Sequence, residues 1–94
     1  MGLNISLYGP CSAEHPDWDS VRYAGDRDFA ALLGKELPTI QKGDPFIEDV
    51  MFRPADFAVW RTVVAAKEWP NPGRFEKMID LLEANSDYWI YMGW

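Results

Sequence analysis

Four side chains near the amino terminus carry the types that do chemistry: Cys11, His15, Asp17 and Asp19. A thiolate beside an imidazole is the pairing of a cysteine nucleophile and its base. Cys, His and Asp are also the types that hold zinc. The chain has one His and one Cys, however, and zinc sites draw on several of these in paired spacing. A calcium loop started at Asp17 fails at Val21 and Arg22, and Asp28 stands where the bidentate Glu belongs. No nucleophile-elbow signature surrounds Ser6, Ser12, Ser20 or Ser86. The seven glycines are scattered, with no phosphate-cradling cluster. The expectation is a protein without catalytic, cofactor or metal residues. The enzymatic alternative is a small-ligand or metal-dependent site built on Cys11, His15 and Asp17.

The aromatic residues make a second group. The chain has five Trp, more than a domain this size needs for packing, so some are expected at the surface or in an interface. Trp60 and Phe75 fall on apolar helical stripes and read as core. Trp18 lies between Asp17 and Asp19 in a polar stretch, either as a loop anchor or as a contact. Trp69, Trp89, Tyr91 and Trp94 cluster around a helix break and the last strand, and exposed Trp and Tyr are typical interface anchors. Candidate partner-binding residues are therefore Asp17, Trp18, Asp19, Trp69, Trp89, Tyr91 and Trp94.

Charge narrows the partner. Residues 1–52 carry nine acids against four bases, and residues 53–94 six against five. With a net charge of −6 and no basic footprint, nucleic acid is disfavoured, and a protein partner with a basic surface fits better. Acid mimicry of nucleic acid would use Glu14, Asp17, Asp19, Asp26 and Asp28. One cysteine rules out an internal disulfide framework. With no signal-peptide pattern and no run of ~18 apolar residues, the reading is cytoplasmic and without a membrane contact.

These residues need a scaffold, and 94 residues with 48% apolar content suit one domain over 1–94. Residues 3–8 alternate as a half-buried strand, stopped at Gly9-Pro10. Residues 11–25 read as a long surface loop. A short helix follows, capped by Asp26 and ended by Gly34, with Phe29, Leu32 and Leu33 on one face. Residues 35–43 read as a connection. Asp44-Pro45 reads as a helix start, but the spacing across 44–52 fits helix and strand equally. From Pro54 a broad stripe of Phe57, Trp60 and Val64 predicts a core helix reaching Trp69. Asn71 and Pro72 should open the next helix, with Phe75, Met78, Ile79 and Leu82 inward, and the two helices should pack antiparallel. The apolar run Tyr88–Trp94 predicts a strand paired with the first. The fold expected is α+β, with N- and C-terminal strands in a small antiparallel sheet against about three helices. With neither charge nor proline after Asp87, a last strand at a sheet edge would pair with a second copy or with another protein.

The opening Met1-Gly2-Leu3-Asn4-Ile5-Ser6-Leu7-Tyr8 resembles small uncharacterised proteins of bacteriophages and prophages, which often begin Met-Gly-Leu-Asp-Ile. Asn4 departs from that pattern, and the resemblance covers eight residues. It implies no activity and no functional residue. It does imply an accessory phage or bacterial protein acting on a host protein, a class that includes inhibitors of bacterial defence systems and, equally, structural or regulatory phage proteins.

Overall fold

The computed structural model describes residues 3–43 and 50–93. Four strands form one antiparallel sheet: β1 (Asn4–Tyr8), β2 (Thr39–Gly43), β3 (Val50–Pro54) and β4 (Trp89–Gly93). Their spatial order is β1-β4-β3-β2. Three helices accompany them: α1 (Asp26–Leu32), α2 (Phe57–Ala65) and α3 (Arg74–Ala84). The α+β expectation holds, including the antiparallel pairing of the first strand with the last.

The period-2 pattern of β1 puts Leu3, Ile5 and Leu7 in the core, with at most 2% of each exposed. Opposite them in register stand Met92 and Ile90 of β4, and Phe52 of β3 lies across from Ile90. The helices close over this face. Phe75, Met78, Ile79 and Leu82 of α3 are buried, as their i, i+3, i+4, i+7 spacing requires. Trp60 and Val64 of α2 join them. The Phe29 ring of α1 stacks flat on Phe75, centroids 4.4 Å apart, and meets Trp60 edge-on. Arg61, midway along α2, bonds Asp80 and Glu83 of α3 and ties the two helices together.

Several boundaries differ from the sequence reading, each for a physical reason. Residues 39–43 are a strand, not a connection; Pro38 and Gly43 bracket Thr39 and Ile40 so tightly that the strand reads as punctuation. Residues 50–52 belong to strand β3, while 44–49, with Asp44-Pro45, lie outside the described residues. Pro54 closes β3 instead of opening a helix, and α2 begins at Phe57 because Asp56 accepts the Val59 N–H. Helix α2 ends at Ala65, short of Trp69. The N-caps of α1 and α3 are Gly25 and Gly73, both left-handed (φ 93° and 86°). That conformation is cheap only for glycine, and it displaces the polar caps expected at Asp26 and Asn71.

Strand β4 is internal, with β1 on one side and β3 on the other. Its aromatic run needs no second chain to cover its backbone. Self-association through an exposed edge of β4 is therefore ruled out by the sheet order, and the edges are β1 and β2.

Candidate protein interface

The chemistry-bearing loop comes first. It is a built structure rather than a free surface segment. After a single 3-10 turn at Pro10–Ser12, the backbone folds back along β1, with an isolated bridge between Tyr8 and Glu14. The His15 N–H donates to Leu7 O (2.9 Å), and the Trp18 indole N–H donates to Ile5 O (2.8 Å). Trp18 is only 6% exposed. It is the loop anchor, not a partner contact.

His15 is buried, edge-on to the Tyr88 ring. Its Nδ1 accepts the Asp17 N–H at 3.1 Å, and its Nε2 lies 3.2 Å from Asn85 Nδ2, which also donates to Leu81 O. The ring thus sits between the loop and the end of α3. Cys11 is exposed, at φ 60°. Among the described residues no group of three or more His, Cys, Asp or Glu could hold a metal.

The second half of the loop is clamped by Arg74, which sequence reasoning passed over. Its guanidinium bonds both carboxylate oxygens of Asp26 (3.0 and 3.4 Å) and Asp19 O (3.0 Å). Trp18 lies 4.3 Å and Tyr23 4.4 Å from it, ring centroid to guanidinium carbon. Asp26 is 1% exposed and also accepts the Tyr23 N–H. Asp19 is exposed, but its carboxylate is used: one oxygen accepts the Val21 N–H, the other the Tyr23 hydroxyl at 2.5 Å. The Tyr23 bond and then the Val21 N–H hold the Asp19 carboxyl below its ordinary range. The same bond raises the Tyr23 phenol. The hollow beside Arg74, about 340 Å³, is walled by Trp18, Tyr23, Asn71 and Lys77. Its arginine is already held by the loop, so the cluster is a clamp. Of the expected contacts here, Asp17 stays at the surface.

Trp69 is core as well. It is 8% exposed, tilted against Phe75 at 4.7 Å, and its indole N–H donates to Val64 O. With Trp60 donating to Pro38 O, three indole N–H groups end on backbone carbonyls. A buried indole needs such a partner, which is how the core takes up Trp residues expected at an interface.

The remaining candidates share one surface. Alternation along the strands turns Tyr8, Trp89, Tyr91, Met51 and Arg53 away from Ile5, Leu7, Ile90 and Phe52, and the β2 register adds Ile40 and Lys42. Tyr8 and Tyr91 are 5.5 Å apart, centroid to centroid. Lys42 Nζ and the Arg53 guanidinium lie 5.7 and 5.9 Å from the Trp89 ring. Tyr8, Met51, Trp89 and Tyr91 are half-buried and Ile40 is 50% exposed. None of the five belongs to the hydrophobic core. Trp94 lies outside the described residues.

Arg53 has a structural duty at the rim. Arg53 donates to Tyr88 O, Asn85 O (3.1 Å) and Leu82 O (2.9 Å), tying β3 to the end of α3 and the turn before β4. Burial lowers its pKa from the ordinary value.

Comparison with known families, characterised proteins and solved structures finds no match. Among the described residues no helix is long and apolar enough to cross a membrane.

Proposed function

We infer that this is a non-catalytic protein-binding module whose recognition surface is the outer face of the sheet. The observation that carries this reading is the segregation of side chains. Tyr8, Trp89, Tyr91, Met51 and Ile40 gather on the face opposite the helices, outside the core that holds Trp18, Trp60 and Trp69. Four strands of five residues present roughly 300 Å² at about 4.8 Å between strands and 3.4 Å per residue. A patch of that size rich in Tyr, Trp and Met suits the apolar centre of an interface. Its partner would be a protein with an apolar patch at the centre, and the charged residues that this face itself presents to it are Lys42 and Arg53. Inhibition of a host protein, including one of a bacterial defence system, would follow from covering that protein's own working surface. The cytoplasm of the host cell is the proposed setting.

The test compares capture from a bacterial lysate by the unmodified protein and by Trp89→Ser/Tyr8→Ser, with mass spectrometry and helical circular dichroism on both. Anchors of this type contribute about 2 kcal/mol or more, roughly 30-fold in affinity. The variant should keep its helices and lose the partner. Equal capture by a folded variant would place recognition elsewhere.

A further inference from the structure

The two edges of the sheet are treated differently by the chain. The outward carbonyls of β1, Ile5 O and Leu7 O, are occupied by the Trp18 indole and the His15 N–H. Strand β2 has no such cover. The Ala55 N–H donates to Pro38 O, which sets the phase of the β2–β3 ladder. In an antiparallel pair, hydrogen-bonded and non-bonded positions alternate. Ile40 and Lys42 therefore bond to Arg53 and Met51 across the register, while Thr39, Gln41 and Gly43 direct their N–H and C=O groups outward. Residues 40–43 are exposed. Among the described residues nothing meets these six backbone groups.

We propose that β2 is a self-pairing edge, on which a second copy of this chain docks its own β2 antiparallel about a two-fold axis through Gln41. The chemistry of the strand selects this occupant. Outward groups fall at 39, 41 and 43, symmetric about Gln41, so the two-fold brings Gln41 opposite the partner's Gln41 and Thr39 opposite the partner's Gly43. All six outward groups of each strand then find partners. Ile40, half exposed in one copy, lies across from the partner's Lys42 and is covered by its aliphatic stem. A lysine on an edge strand usually discourages pairing. In this register it faces an isoleucine, and no like charges stand directly opposite. The result is a continuous eight-stranded sheet that joins the two outer faces. Five residues per strand make a small contact, so the association is weak, with Kd between about 10 µM and 1 mM.

Sedimentation velocity from about 10 µM to 1 mM, with amide exchange at both ends of the range, tests this. The mean mass should rise towards a dimer, and exchange at Thr39, Gln41 and Gly43 should slow at least twofold (roughly half the chains paired or more). Gln41→Pro removes an outward N–H and leaves the β3 ladder intact, so it should stay monomeric at an unchanged melting temperature. A monomer at 1 mM, a dimer of equal strength in folded Gln41→Pro, or unchanged exchange at the three amides would overturn the proposal. If Gln41→Pro does not fold, the exchange of the unmodified protein decides alone. Failure here would leave the outer-face reading standing, because lysate capture does not depend on β2 pairing.

Discussion

Strand β1 and strand β2 bound the same sheet, yet the chain spends sixteen residues on sealing one and nothing described on the other. Along β1, residues 10–25 fold back, plant Trp18 on Ile5 O, bury His15, and are locked to α3 by Arg74. Along β2 residues 40–43 are exposed, and among the described residues nothing meets the outward backbone groups. Of the residues on the sealed side that suggest catalysis or binding, His15, Trp18 and Asp19 are used by structure, while Cys11 and Asp17 stay exposed. The aromatic residues without a core duty sit on the sheet's outer face. An acid, a His and a Trp in a polar stretch are therefore poor evidence of a site until their hydrogen-bond partners are counted.

The contrast breaks most readily at Arg74. Its removal leaves Asp26 buried with the Tyr23 N–H as its remaining partner and empties the space between two rings. Stranding a buried ionised partner costs about 3–5 kcal/mol. Arg74→Ala should lower stability to urea by an amount of that order. A loss under about 1 kcal/mol, the range of surface pairs, would mean that the loop is not a structural element.

A smaller effect sharpens the same point through pH. The Asp19 carboxyl is lowered from its ordinary 3.8 by the Tyr23 hydroxyl, and the Tyr23 phenol is raised from 10.0 by Asp19. A lowered acid contributes stability above its unfolded value that is lost as pH falls through its folded value. A raised phenol contributes stability below its unfolded value that is lost as pH rises through its folded value. The tether is thus whole across the neutral range and fails at both ends. Ultraviolet titration should find one tyrosine ionising above the ordinary value, and Tyr23→Phe should abolish that phase. An ordinary titration for every tyrosine would remove the tether from the account.

Much of the fold was legible because local periodicity wrote it. The alternation of Leu3, Ile5 and Leu7 and the stripe of Phe75, Met78, Ile79 and Leu82 each follow from one element's own geometry. What escaped depends on distant partners. Asp26 reads as a cap until Arg74, forty-eight residues on, is seen against it. Asn71 also reads as a cap, but its amide donates to Ala24 O and ties the helix break to the loop. Strand β2 is recognisable only beside β3. Of the expected contacts, Trp89 and Tyr91 share the outer face, Asp17 stays exposed, Asp19 serves its own loop, and Trp18 and Trp69 are core. One signal could have found the face earlier: Tyr8, on the polar side of β1, shares the parity that Trp89 and Tyr91 have in β4.

The central claim, one edge closed by the chain and the other left open, is tested most directly by residue-resolved hydrogen exchange in dilute solution, below the concentrations at which β2 is proposed to pair. The Trp18 indole N–H and the His15 amide should exchange slowly, together with the amides of Ile40 and Lys42 that bond to β3. The amides of Thr39, Gln41 and Gly43 should exchange orders of magnitude faster, giving β2 an alternating fast–slow pattern. Uniform protection along β2, or rapid exchange at the Trp18 indole, would contradict it.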